Sequence, residues 1–525
     1  MTLHESALGA MLAQQFGTIP ELIRLHARHR PRHPALALDG RVLDYATLDA
    51  MMDRVAAALQ RDGLQPRDAI AICAATSIEY ALVFLGSLRA GIAVAPLAPS
   101  TTAEGLAGML ADAEAAKLFL DSETAAALAP LRERIGADWI ALDRNDCGMP
   151  LHAWLAAEGA RCAALEASPE APFNIIYSSG TTGAPKGIVQ PNSMRWGQVQ
   201  RGVANGYGLD AVTLLSTPLY SNTTLVSFFA TLGLGGSVLL MTKFDAARYL
   251  ALAQSHRATH TMLVPVQYQR LMAQPDFERH DLSSFRVKFC TSAPFSADLK
   301  REVLRRWPGG LIELYGMTEG GGSCVLFAHQ HPDKLHTVGQ PAPGSEFRLI
   351  DDDGRQVAPG AAGEIVGRSP SMMTGYHKQP QKTAEAEWHD EQGLRWIRTG
   401  DIGRFDSDGF LVLVDRKKDM IISGGFNIYP SDLEAAVRAH AAVEDVAVVG
   451  VPSARWGETP VAFVILKPGS QVSADELIAA ANQRLGKTQR LAALEITGAL
   501  PRSPIGKVLK RELRDGYAAR PNRAA

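Results

Sequence analysis

Residues 177–187 read YSSGTTGAPKG, which puts two serines, two threonines, three glycines and one lysine into eleven positions just after the apolar run FNIIY. Glycines let backbone N–H groups approach an anion, hydroxyls donate further hydrogen bonds, and a lysine adds point charge. That composition suits a loop wrapping a polyphosphate, with Ser178, Ser179, Gly180, Thr181, Thr182, Gly183 and Lys186 as the candidate contacts. It differs from the nucleotide P-loop, which needs four residues between its glycines and then Lys-Ser/Thr. Here two residues separate Gly180 from Gly183, and Lys186 precedes Gly187. No G-x-G-x-x-G fingerprint follows a strand either.

Four further clusters could take part in the same chemistry. In LYGMTEGGG (314–322) an aromatic followed by glycine can stack a purine, and Thr318 and Glu319 offer hard oxygens suited to Mg²⁺. RTGDIG (398–403) places Asp401 in a tight turn, a good acceptor for two vicinal hydroxyls. DRKKDMIISGGFNIYP (415–430) is a charged stretch followed by an apolar run and two glycines, which suits a linker. In PRSPIGKVLKREL (501–513) Lys507 follows a Pro-Ile-Gly turn; on its own it would be a surface lysine. His329, His331 and His336 read as a solvated loop, because no helical spacing aligns them for a metal.

The elements that must position these residues alternate between helix and strand. Residues 19–28, 45–62, 77–90, 244–256 and 296–306 read as helices. Residues 69–74, 91–95, 212–218, 237–241, 260–264 and 287–291 read as buried strands. The alternation argues for α/β layers with largely parallel strands. Residues 155–172 read as a connection. After about residue 335, Gly-, Asp- and Pro-rich turns separate short runs at 347–350, 363–366 and 409–414, a β-rich subdomain. The last hundred residues form an α+β unit, with strands at 443–451 and 461–466. Ser431 with Glu434 and Ser473 with Glu476 are capping-box patterns, and Gly486 is a candidate helix cap. The fold expected is α/β: a large N-terminal domain of layered α/β subdomains plus a β-rich subdomain over residues 1–415, then a small α+β domain over 416–525, which the resemblance given below implies is mobile.

At 525 residues the chain exceeds one core. Its 46% hydrophobic and 21% charged residues are ordinary for a globular protein, and a net charge of −2 offers no nucleic-acid surface. There is no run of eighteen apolar residues for a membrane span, no basic leader and no lipidation box. Cys73, Cys147, Cys162, Cys290 and Cys324 are odd in number and lack C-x-x-C spacing, which fits a reducing cytoplasm.

Together, in this order, the five motifs resemble those of the acyl-adenylate-forming superfamily: acyl- and aryl-CoA synthetases, adenylation domains of peptide synthetases, and beetle luciferases. The resemblance covers almost the whole chain. It implies an ATP-dependent carboxylic acid–CoA ligase that uses ATP, Mg²⁺ and CoA, forms acyl-AMP and pyrophosphate, then acyl-CoA and AMP. The alternative is a stand-alone adenylation enzyme loading a carrier-protein thiol. By resemblance Tyr315 packs on adenine, and Ser292, Ala293, Pro294, Glu313, Gly316 and Met317 line the nucleotide. Glu319 and Thr182 hold Mg²⁺, with Thr318 beside them. Asp401 and Arg416 hold the ribose, Lys418 marks a hinge, and Lys507 neutralises charge between the carboxylate and the α-phosphate. Gly424 and Gly425 line the thiol channel. Trp456 matches an aromatic near the CoA nucleotide, though a buried core tryptophan suits that position equally.

The resemblance places the acid near Tyr220, Ser221, Asn222, Thr223, Gln267, Ser292, Met317, Gly321 and Gly322. Ser221 stands where many relatives have histidine, and Gly320–Gly322 would leave room beside the pocket. These segments hold no arginine to clamp a second carboxylate, which points to a medium-sized monocarboxylate, aryl or aliphatic. The expected partners are small molecules only, with the protein a monomer or homodimer.

Overall fold

Strands covered on both faces are written as unbroken apolar runs. Ala69–Cys73 (AIAIC) and Ala93–Leu97 (AVAPL) are buried along their whole length and pair in parallel. The computed structural model describes residues 2–144, 146–178, 186–423, 426–453, 455–485, 490–503 and 506–518. Cα packing divides the chain into two units: residues 1–346 with 367–397, and residues 347–366 with 398–525. Residues 398–415, read from sequence as part of the first domain, pack in the second unit. The reason is that residues 401–405 pair antiparallel with Leu411–Arg416.

The first unit holds two large sheets. One runs in the order Gly375–Tyr376, Lys186–Pro191, Pro172–Ser178, Ala93–Leu97, Ala69–Cys73, Lys117–Leu120, Asp138–Ala141 and Met149–Pro150. The other runs Gln340–Pro341, Gly320–Phe327, Gly310–Met317, Val287–Cys290, His260–Leu263, Val212–Leu215, Ser237–Leu240, Pro34–Leu38 and Arg41–Asp44. Its strands from Gly310–Met317 to Pro34–Leu38 are all parallel. After Val212–Leu215 the chain places its next strand on one side and the following one on the other. Such a reversal opens a crevice at the carboxyl ends of the strands. Residues 216–223, Gln267, Ser292 and Tyr315–Met317 all follow or end these strands.

In the second unit Val443–Ser453 pairs antiparallel with Gly457–Leu466, and Ala493–Ile496 lies parallel beside the latter. Helices Pro430–Arg438 and Ala474–Arg484 add Leu433, Val437, Leu477 and Ala481 to the core on one face of that sheet.

Helix starts follow their caps. Ser473 and Glu476 form the expected reciprocal box, worth about 1 kcal/mol. The Ser431–Glu434 box does not form. Pro430 takes the first helical position, and the Ser431 hydroxyl donates instead to the Val414 carbonyl at 2.5 Å. Glu434 is engaged by Lys510 at 2.8 Å and by the Val448 N–H at 2.9 Å. Gly486 lies outside the described residues. Among the described residues no helix is long and apolar enough to cross a membrane.

Candidate active site

Two hairpins in the first unit hold the residues expected to contact the polyphosphate and Mg²⁺. In one, Pro172–Ser178 pairs antiparallel with Lys186–Pro191, ending with Ser178 opposite Lys186. The connecting residues, including Ser179, Gly180, Thr181, Thr182 and Gly183, lie outside the described residues, as does the Ser178 side chain. Lys186 is half-buried, and its ammonium stands 4.9 Å from the centre of the Tyr376 ring.

In the other hairpin Gly310–Met317 turns back on Gly320–Phe327. Met317 pairs with Gly320, so Thr318 and Glu319 form a two-residue tip. Gly320 and Gly321 leave that tip at φ of 86° and 73°. A Cβ at Gly320 would sit 2.1 Å from the Ser371 carbonyl oxygen, and one at Gly321 would sit 2.8 Å from Ile397 Cβ. Both conformation and space restrict these positions to glycine. The room they leave is thus filled by Ser371 and Ile397.

The residues around Tyr376 brace one hairpin against the other. Gln190 Nε2 donates to the Thr318 carbonyl at 2.7 Å, and the Met373 N–H donates to the Glu319 carbonyl at 2.8 Å. Tyr376 pairs with Ile188, and the His377 N–H donates to the Gly187 carbonyl at 2.7 Å. The Tyr376 hydroxyl donates to Glu319 Oε1 at 2.9 Å. Burial first, and the Glu319 charge second, push the phenol well above its ordinary range, so it remains a donor. Glu319 Oε2 makes no hydrogen bond or ion pair among the described residues. A carboxylate with one oxygen held and the other open fits a hard cation.

Tyr376 escaped the sequence reading because Gly-Tyr in a turn-rich segment carries no signal of its own. Tyr376→Phe is expected to lower kcat for pyrophosphate release about tenfold, the value of one charge-assisted hydrogen bond, with little change in KM for the acid. Steady-state kinetics on the two enzymes checks this, and unchanged kcat would remove Tyr376 from the site.

Among the residues expected around the acid, Tyr220 is half-buried, its phenol pushed up by burial and by Cys73. Ser221 precedes helix Asn222–Gly233 without a side-chain cap bond. The Thr223 and Ser292 hydroxyls meet at 2.6 Å. Ser292 has φ of 80°, a strained position for a residue other than glycine. Ala293, half-buried, and Pro294, exposed, follow it. The Gln267 amide is engaged by its own helix start. Its Oε1 accepts from the Val264 N–H at 3.2 Å, and its Nε2 donates to Ser216 Oγ at 3.2 Å.

Glu313, expected along the nucleotide, is buried and ion-paired with Lys300; burial pushes it up to about 7 against the pull of that lysine. Tyr315 is half-buried, Gly316 is exposed, and Met317 packs against the cluster of Ile188, Met373 and Ile397.

The segments expected around the acid contain no arginine, but helix Asn192–Gly202 brings one to Asn222. Arg195 Nη2 donates to Asn222 Oδ1 at 2.7 Å and to Gln190 Oε1 at 2.5 Å. No signal local to Arg195 marks this, because Asn174, Gln190 and Asn222 reach it from other elements.

In the second unit Asp401 lies opposite Arg416 across the antiparallel pair, with Arg416 Nε 3.1 Å from Asp401 Oδ1. The Asp401 N–H donates to Thr399 Oγ1 at 3.1 Å. Lys507 is half-buried, and its ammonium makes no hydrogen bond or ion pair among the described residues. Burial first, then Arg416 and Lys418, lower its pKa to about 8, while Asp401 and Asp419 oppose the shift. Lys418 is lowered by burial and then by Arg416. Gly424 and Gly425 lie outside the described residues. Trp456 is 48% exposed, not part of the core, and the Arg455 guanidinium sits 4.6 Å from its ring centre.

Comparison with known proteins gives a consistent result. Residues 23–377 match the family model of the AMP-binding enzyme, and residues 432–507 match the AMP-binding enzyme C-terminal domain. The chain is 34% identical over 505 residues to a feruloyl-CoA synthase of Amycolatopsis sp, covering 93% of this chain and 96% of that one. It is 31% identical over 519 residues to the fatty acid–[acyl-carrier-protein] ligase ScoC of Streptomyces coeruleorubidus, covering 96% and 97%. Among solved structures it is similar to ATP-bound MatB from Rhodopseudomonas palustris, with a TM-score of 0.84, 29% identity, and coverage of 95% and 99%.

Proposed function

The chain belongs to the AMP-binding enzyme family and is an AMP-forming acid–thiol ligase, and from that premise we propose that it joins a medium-sized aryl or aliphatic carboxylic acid to the thiol of coenzyme A. The observation that carries this reading is the Tyr376 brace. It brings a lysine suited to an anion, Lys186, to the ring of one phenol and a carboxylate suited to a cation, Glu319, to its hydroxyl. A magnesium polyphosphate needs both groups.

In this reading the loop from Ser178 to Lys186 holds the β- and γ-phosphates, Tyr315 stacks on adenine, and Asp401 with Arg416 takes the ribose hydroxyls. Glu319, with Thr182, would hold Mg²⁺, which when bound screens the charge of the polyphosphate. A carboxylate oxygen attacks the α-phosphorus in line. The new P–O bond forms as the bond to pyrophosphate breaks, and Lys507 offsets the negative charge shared between the two reacting groups. The thiolate of CoA then attacks the acyl carbonyl, the C–S bond forms, and the C–O bond to AMP breaks. Positioning and fixed charge carry both steps, so no nucleophile–base pair is required. The expected hinge at Lys418 and thiol channel at Gly424 and Gly425 belong to the same proposal.

Exposed Trp456, with a cation on its ring, is a suitable platform for the nucleotide of CoA. Resemblance to an acyl-carrier-protein ligase favours a second reading, transfer to a carrier-protein thiol. We take the working form as a cytoplasmic monomer or homodimer.

A pyrophosphate-release screen of carboxylic acids, with and without CoA, tests the proposal. AMP release that requires CoA supports it; AMP release that requires a carrier protein instead favours the second reading. Asp401→Asn is expected to raise KM for ATP about tenfold while KM for the acid holds, as for loss of one ribose contact. A parallel rise in both constants would take Asp401 away from the nucleotide.

A further inference from the structure

Arg195 is among the largest fully buried side chains of the protein, at 1% exposure. Among the described residues no carboxylate touches it. Its contacts are four side-chain amide oxygens: Gln190 Oε1 at 2.5 Å, Asn222 Oδ1 at 2.7 Å, Gln198 Oε1 at 2.9 Å and Asn174 Oδ1 at 3.4 Å. The rings of Phe173 and Phe229 lie 5.6 and 5.7 Å from its Cζ. Burial lowers its pKa to about 9, which still leaves a cation at neutral pH. An uncompensated charge in a low-dielectric interior is costly, and it polarises every dipole around it.

A guanidinium has donors and no acceptors. Each amide that meets it must turn its oxygen inward and its NH₂ outward, so the usual ambiguity of amide orientation is absent here. For Gln190 the outward NH₂ meets the Thr318 carbonyl at 2.7 Å. For Asn174 the outward NH₂ is buried without a partner. Asn222 is half-buried in the first turn of helix Asn222–Gly233, and its NH₂ makes no hydrogen bond among the described residues. Its neighbour Thr223 meets Ser292, just beyond the carboxyl end of strand Val287–Cys290. Asn222 is therefore a fixed donor at the acid side of the crevice, and a positive charge lies directly behind its oxygen.

We infer that Asn222, oriented and polarised by Arg195, is a specificity-determining donor that selects acids carrying an acceptor oxygen remote from the reacting carboxylate: a hydroxyl, ether, oxo group or second carboxylate. Arg195 acts through Asn222 and is a positioning residue. The inference rests on the acid-ligase reading, and specifically on the acid lying beside Asn222. An anionic acceptor gains most, because among the described residues Arg195 meets only neutral amide oxygens. This reverses the sequence-based expectation against dicarboxylates, which counted only arginines within the pocket segments.

The test uses the full-length enzyme and matched acids: cinnamate against 4-hydroxycinnamate, and hexanoate against 6-hydroxyhexanoate and adipate. The readout is kcat/KM for ATP-dependent pyrophosphate release. An acceptor-bearing acid is expected to exceed its partner by roughly 10- to 100-fold, the range of one hydrogen bond to a polarised donor. Asn222→Asp keeps the shape and gives Arg195 a carboxylate, but removes the donor; it should bring that ratio to one or below. Asn222→Leu should do the same. Arg195→Met should shrink the ratio by releasing the amide, and Arg195→Lys should restore part of it. The ratio is taken within each enzyme, so losses of folded protein cancel. Wild-type enzyme with no preference in either series, or Asn222→Asp with the preference intact, would overturn the inference while leaving acid activation standing. No acid-dependent pyrophosphate from any of the five acids would overturn the acid-ligase reading and this inference together.

Discussion

Lys507→Ala is expected to lower acid-dependent pyrophosphate release about a thousandfold, while thiolysis of supplied acyl-AMP stays within about twofold of wild type. The backbone around this lysine is held closely. The Ser503 N–H donates to the Lys507 carbonyl at 2.8 Å, the Lys507 N–H donates to Ser503 Oγ at 3.2 Å, and Gly506 turns the chain at φ of 80°. Arg502 and Val508 bridge the two arms of the turn. The ammonium it presents is half-buried, unpaired among the described residues, and in the field of Arg416 and Lys418. A cation held this way is suited to an incoming anion, and the charge in the adenylation transition state is such an anion.

The shift in its pKa adds a pH signature. Burial and the neighbouring cations lower the group to about 8, so the charged form dominates below that pH and is lost above it. kcat/KM for adenylation should therefore fall above about pH 8, and thiolysis of supplied acyl-AMP should lack that limb. Equal loss of both half-reactions in Lys507→Ala would show a structural role instead. Lys507→Arg should not rescue the rate, because a planar fork does not replace a compact point charge.

Glu319→Gln is the second large effect expected, a loss of roughly 100- to 1000-fold in pyrophosphate release, accompanied by a higher Mg²⁺ requirement. The substitution isolates charge from shape. The bonds that fix the hairpin tip, from Gln190 and Met373, go to the backbone carbonyls of Thr318 and Glu319 and do not involve the carboxylate. Tyr376 can still donate to the amide oxygen. Thermal unfolding should therefore be unchanged while the magnesium titration moves. A rate within tenfold of wild type at ordinary Mg²⁺ would mean that Glu319 holds no cation.

Local features were readable from the residues. The buried strand at Ala69–Cys73, the helix at Tyr45–Arg61 and the Ser473–Glu476 cap stand within a residue of where their patterns put them. The apolar run FNIIY lies within strand Pro172–Ser178. The features that could not be read depend on contacts distant in sequence. Tyr376 reaches Glu319 across 57 residues, and Arg195 reaches Asn222 across 27. Neither pairing leaves a periodicity or a turn signal. Glu313 stands next to a nucleotide-like motif, yet Lys300 from another element claims it. The Ser431–Glu434 pattern had the right spacing, but Pro430 already occupied the first helical position and drew Ser431 to a neighbouring strand. Local pattern was overridden wherever a buried polar group found a better partner in three dimensions.

Acid activation requires one event above all: an oxygen of the acid must attack the α-phosphorus of ATP. Single-turnover reaction of an acid labelled with ¹⁸O in its carboxylate, followed by mass spectrometry of the products, tests it directly. The expected products are AMP carrying one ¹⁸O, unlabelled pyrophosphate, and a CoA thioester retaining the other. Label in pyrophosphate or phosphate, or a thioester formed alongside unlabelled AMP, would contradict it.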